Sequence, residues 1–149
     1  PAASQQICEN SNLSGPTRQL ITCGEALVFE REPGTDVTIV ERRGSASPKE
    51  IILENGAIFI KVLPGSQPTQ IRTPHAIAAV RGTTYVVDAG AFSTSVFVIE
   101  GAVVVSKPDS APGVTLGPGQ GVDVEPTAPL NVNRWSAERV SSLLARFGR

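Results

Sequence analysis

From Cys23 to about Val124 the chain alternates short apolar runs with turn-forming residues, and the apolar positions repeat every second residue or run unbroken for four or five. Val, Ile and Thr dominate these runs, and Gly and Pro separate them, which is the pattern of short β-strands. The pattern predicts strands at Ala26–Glu30, Val37–Val40, Ile51–Leu53, Ala57–Val62, Gln70–Arg72, Thr84–Asp88, Ser95–Ile99, Ala102–Ser106, Val114–Leu116 and Val122–Val124. Asn55-Gly56 and Glu100-Gly101 each divide two apolar runs, and both read as two-residue hairpin turns. The two units resemble each other, since Gly-Ala opens an apolar strand ending in Lys in both, and Cys23–Phe29 is a fainter third copy. The spacings are unequal, so this is a weak repeat and not a regular array, and it fits stacked or wrapped short strands. The expected class is all-β.

The periodicity changes near the C-terminus. After a Pro-containing linker at 126–133, Val140, Leu143, Leu144 and Phe147 recur at helical spacing, predicting one amphipathic helix over Trp135–Phe147. Ser136 is placed to cap it, Glu138 falls in its first turn, and Trp135 with Val140 has the spacing of a hydrophobic staple. A helix this short is marginal alone, so its apolar stripe must dock on the chain's own sheet or on another chain. The organisation expected is a segment at 1–23, a β domain at 24–125, and a linker with helix at 126–149.

Composition narrows the chemistry. The 149 residues carry 13 basic and 14 acidic side chains, so general affinity for nucleic acid is not expected. No apolar run approaches the roughly 20 residues that span a bilayer as a helix. Residues 131–149 nevertheless carry a net charge of +3 against −4 for the rest, with Arg134, Arg139, Arg146 and Arg149 as the source.

Cys8 and Cys23 flank a turn-rich stretch and predict a disulfide, and with it an oxidising compartment, periplasmic or secreted. Such a bridge is typically worth about 3 kcal/mol in the chain-entropy model. The sequence contains no Met, which suggests a piece of a longer product. Its small, polar first residues read either as the end left by signal-peptide cleavage or as an arbitrary boundary.

Enzyme chemistry finds little purchase. His75 is the single His and has no neighbouring acid, so a nucleophile triad or a multi-His metal site is not expected, nor is any cofactor. Glu25, Glu54, Glu100 and Asp123 lie at strand ends, where solvated acids are common, and a paired-carboxylate hydrolase is the weakest reading. Gly117-Pro118-Gly119-Gln120-Gly121 precedes a strand rather than a helix, and so reads as a turn and not a phosphate loop. The candidate binding residues are Arg81 and Thr83, as an anion site or as a structural pair, and Trp135, Arg139 and Arg146 on the C-terminal segment.

Three blocks together resemble the FecR domain family. They are Thr73-Pro74 followed by Val80-Arg81-Gly82-Thr83-Thr84-Tyr85-Val86-Val87, the segment Val96–Val105 with Glu100-Gly101 at its centre, and Leu116-Gly117-Pro118-Gly119-Gln120-Gly121. Leu53–Phe59 matches more loosely, and the resemblance spans roughly 24–125. It implies a periplasmic all-β domain, a twisted solenoid-like or sandwich wrap of short strands, that acts by protein interaction and has no catalytic residues. In the family's founding members that domain relays the ligand-loaded state of an outer-membrane siderophore receptor to a sigma factor. The expectation for this chain is a non-enzymatic envelope module that binds a protein partner in signalling. The alternative is a secreted β-domain that binds a small ligand or glycan through Trp135 or Tyr85.

Overall fold

The computed structural model describes residues 8–44, 48–65, 67–80 and 82–149. Thirteen strands, β1 (Cys8–Leu13), β2 (Arg18–Cys23), β3 (Leu27–Arg31), β4 (Asp36–Val40), β5 (Glu50–Val62), β6 (Thr69–Arg72), β7 (Ile77–Val80), β8 (Thr84–Ala89), β9 (Thr94–Glu100), β10 (Val103–Lys107), β11 (Ser110–Leu116), β12 (Gln120–Val124) and β13 (Asn133–Arg134), form one curled sheet, followed by helix α1 (Ala137–Ala145). The curl makes two facing layers. One runs β1-β2-β3-β5-β8-β9-β12-β13, and the other β4-β5-β6-β7-β10-β11. All neighbours are antiparallel except β5 and β6.

β5 belongs to both layers. Its first half pairs with β4 and β6, and its second half with β3 and β8. This corrects the expected hairpin at Asn55-Gly56, because the two flanking apolar runs are one continuous strand. Glu100-Gly101 is not a hairpin either: it carries the chain from β9 in one layer to β10 in the other, and these strands do not pair. In both places a positive φ is used, +104° at Gly56 and +91° at Gly101, but to turn a corner between layers. A Cβ at Gly56 would lie 2.8 Å from Thr35 Cα, and one at Gly101 would lie 2.7 Å from the Gly82 carbonyl oxygen. The local sequence specified the backbone conformation and left open which strands it would join.

The interior between the layers is filled by the inward residues, among them Phe29, Ile51, Leu53, Ile58, Ile60, Ile71, Tyr85, Val98, Val105 and Leu116. Cys8 stands directly opposite Cys23 in the β1–β2 ladder, and the two are disulfide-bonded at the margin of this core. The runs that showed no alternation are explained by a second apolar cluster on the outer face. Ala57, Phe59, Val86 and Phe97 form a patch there, with Phe59, Val86 and Phe97 directly aligned across β5, β8 and β9. Strands covered on both faces are apolar at every position.

The cover is α1. Ser136 Oγ accepts the Arg139 amide at 3.2 Å, and Leu143 and Phe147 are buried against the patch, the Phe147 ring centroid lying 5.8 Å from that of Phe59. The helix therefore docks on its own sheet. The linker before it is seated too, since Lys107 Nζ donates to the carbonyls of Pro126 and Ala128. No helix among the described residues is long and apolar enough to cross a membrane.

Candidate functional site

Three of the five candidate binding residues converge at the seam between α1 and the sheet. Trp135, Arg139 and Arg146 line a groove of about 210 Å³ together with Asp88, Ser95 and Leu143. Arg146 donates to both carboxylate oxygens of Glu32, at 2.6 and 2.9 Å, and to Asp88 at 2.8 Å. Arg139 grips Asp123 with two hydrogen bonds of 2.6 and 3.1 Å, and its guanidinium lies 3.4 Å above the Trp135 ring. Arg149 donates to both oxygens of Glu30, which also receives Arg18 at 2.6 Å. Three of the four arginines behind the charge asymmetry are thus engaged internally: Arg139, Arg146 and Arg149 meet anions of β3, the β3–β4 connection, β8 and β12.

The electrostatic consequences are directional. Burial works against ionisation of Glu30, yet the hydrogen bonds from Arg149 and Arg18 outweigh it and hold the carboxyl below the ordinary range. The Arg139 hydrogen bonds hold Asp123 low against partial burial, with help from Ser95. The Glu32 hydrogen bonds, and then Asp88, keep the Arg146 guanidinium charged despite burial. Because both carboxyl pKa values are depressed in the fold, the stability they supply is present above about pH 4, where unfolded carboxylates ionise, and is lost as pH falls toward the lowered values. Thermal melting should therefore fall between pH 5 and pH 3, measured by circular dichroism. A melting temperature that stays flat across that range would show the pairs to be energetically idle. Partly exposed pairs of this kind contribute roughly 0–1 kcal/mol each, so they orient the helix while Phe147 and Leu143 supply most of its attachment.

The groove is a clamp more than a pocket. Trp135 stacks on Phe97 with centroids 5.0 Å apart on one face and carries Arg139 on the other, leaving neither face for a sugar or base. Its volume is below the several hundred Å³ usual for ligand sites. Tyr85, the other aromatic candidate, is fully buried, and burial pushes its phenol pKa up. Thr83 stands apart from the clamp, donating to the Ala102 carbonyl at 2.9 Å beside the Gly101 corner. Arg81 lies outside the described residues.

The Gly117–Gly121 turn is the seat of the clamp. Gly117 N donates to the Gln120 side chain at 2.7 Å, Gln120 N donates to the Gly117 carbonyl at 3.0 Å, and Trp135 N donates to the Gly119 carbonyl at 3.2 Å. The Trp135 ring lies so close over Gly121 that a Cβ there would sit 2.3 Å from it. His75 is held at Nδ1 by Thr94 Oγ1 at 3.0 Å, itself bonded to Thr73 at 2.7 Å. Among the described residues no group of three His, Cys, Asp or Glu side chains is placed to hold a metal ion.

A different surface escaped the sequence reading. The β8–β9 hairpin turns through Gly90–Ser93, closed by a 2.8 Å bond from Gly90 N to the Ser93 carbonyl, and its tip presents Phe92 at 86% exposure. Beside it lies an open hollow of about 410 Å³ lined by His75, Ser93, Glu125, Pro126 and Thr127. The signal was available: a lone aromatic inside a Gly-Ala-Phe-Ser turn between two strands has no core to join.

Two crystal structures of a proposed anti-sigma factor from Parabacteroides distasonis have the same fold. One aligns with a TM-score of 0.69 at 21% identity over 93% of this chain, the other with 0.66 at 22% over 95%. This chain spans 65% and 63% of the length of those structures. No curated protein matches the sequence. Residues 32–104, from the end of β3 into β10, match the family model described as FecR protein, so this chain carries a FecR domain.

Proposed function

We propose that the chain is a non-enzymatic interaction and sensing module of the bacterial cell envelope, binding a protein partner in a signalling relay. The FecR domain and the fold shared with a proposed anti-sigma factor support a signalling role. The Cys8–Cys23 disulfide fits an oxidising compartment and so a periplasmic or secreted location. The observation that carries the binding role is Phe92. A large apolar side chain on a closed hairpin tip, almost wholly in water, adds nothing to folding and has the form of an interface anchor. The acids nearest the clamp are engaged by arginine, which disfavours a hydrolytic pair. The glycan reading loses its support with both faces of Trp135 covered.

The test separates folding from binding. Phe92→Ala should leave the melting temperature within about 2 °C of wild type, because exposed side chains contribute little to stability. A photo-crosslinking residue at position 92, used in intact cells, should give a discrete protein adduct, and Phe92→Ala should weaken capture of that protein at least about tenfold. An alanine variant that captures the adducted protein as well as wild type would overturn the assignment.

A further inference from the structure

Among the described residues the sheet has four borders, at β1, β13, β4 and β11. Exposed strand edges pair readily with other strands, and natural proteins protect them with Pro, bulges, charge or shortness. Three of the borders are protected. β11 contains Pro112 and meets β10 through a register shift, β1 is polar along Glu9–Asn12 and cross-linked to β2, and β13 has two residues. β4 is protected only at its first residue, where Asp36 carries a charge and the pairing with β5 shifts register, and Val37–Val40 beyond it has neither device. Its sequence is Asp36-Val37-Thr38-Ile39-Val40, four of five residues β-branched, without Pro, Gly or Lys, and it pairs with β5 alone.

Two further observations bear on what completes this edge. Val37 and Ile39 point into the core and pack against it, yet both remain only partly buried, and no strand among the described residues lies beyond them. The Val40 carbonyl faces β5, where it accepts the Lys49 amide at 2.9 Å, so strand alternation turns the amides and carbonyls of Val37 and Ile39 outward. The pattern is also self-complementary about Thr38. In an antiparallel pairing centred there, Val37 of one copy stands opposite Ile39 of the other on the core side, and Thr38 meets Thr38 on the outer side. Apolar β-branched pairs and Thr–Thr pairs are both favourable across strands.

We infer that β4 is a self-pairing edge, at which two copies of this chain join antiparallel around a two-fold axis through Thr38. The core of each layer then continues into the other, closing Val37 and Ile39 from water. A single pair of five-residue strands buries little area, so the association belongs at the weak, concentration-dependent end.

Sedimentation velocity of the 149-residue chain from about 1 µM to about 1 mM should show a monomer–dimer equilibrium. Thr38 is exposed, so Thr38→Lys and Thr38→Glu should melt like wild type. Each alone should raise the dissociation constant at least about tenfold by facing like charges, and an equimolar mixture of the two should restore association. Thr38→Cys should cross-link on oxidation, because directly opposed residues bring their Cα atoms to about 4.5–5.5 Å, within disulfide range. Thr115→Cys, exposed on β11, should not. Phe92→Ala should leave the equilibrium unchanged, which separates this association from partner binding at the hairpin. A chain that stays monomeric throughout, or dimers indifferent to Thr38→Lys, would overturn the inference. A monomer that takes up another protein's strand at β4 would overturn it in favour of that strand.

Discussion

Alanine at Gly101 or Gly56 should destabilise the fold by about 2–5 kcal/mol, the sum of a left-handed backbone conformation unsuited to a side chain and a clash that cannot relax. The clash is with backbone in both cases, the Gly82 carbonyl at one corner and Thr35 Cα at the other, so no side-chain rotation relieves it. A loss of that size is a large fraction of the stability of an ordinary domain. Gly44→Ala supplies the control. Its φ is +75°, but nothing among the described residues lies within 4 Å of the added methyl group, so only the conformational cost of about 1–2 kcal/mol applies. Urea denaturation of the three variants measures the difference directly. Equal losses at all three positions would mean that the corners are not packed as described.

The second large effect is at Gly121. Its Cβ would enter the Trp135 ring, and the neighbouring Gly119 carbonyl holds the Trp135 amide, so Gly121→Ala should push the indole off Phe97 and loosen α1 with it. Overpacking at a seated aromatic costs typically 1–3 kcal/mol. Trp135 is the sole tryptophan, so its emission reports the event: a red shift under native conditions, with a lower urea midpoint. Unchanged emission together with unchanged stability would show that the turn is not the seat of the clamp. The same measurement on Phe147→Ala, which empties a fully buried site, should show a loss of about 3–5 kcal/mol.

The strands from β3 to β12, β7 excepted, and the helix were legible because each leaves a local trace. Alternation marks β4, unbroken apolar runs mark the doubly covered second half of β5 and the centres of β8 and β9, and the Ser136 cap with its 3–4 spacing marks α1. β1 and β2 were not read as strands, because Glu9–Asn12 is polar and the ladder is held by the Cys8–Cys23 bridge and by β3. β7 was missed because Ile77-Ala78-Ala79-Val80 is small and short, and gains its place from β6 and β10. The two corner glycines were located correctly but joined to the wrong strands. A positive φ is a property of one residue, whereas pairing is decided by partners far along the chain. The clamp arginines were found as a charge excess. Their use was not, since the acids they meet, Glu30, Glu32, Asp88 and Asp123, are scattered over more than ninety residues. Phe92 left a trace that only its lack of company makes meaningful.

β5 gives the two layers a mechanical relation. In a sandwich of separate sheets, a load on one face reaches the other through side chains that can slide. Here a pull on the β1–β2–β3 side is carried along the backbone of a single strand, through Gly56, to the β4–β6 side. The corner works as a rigid elbow, and a displacement imposed at one layer has to be answered by the other.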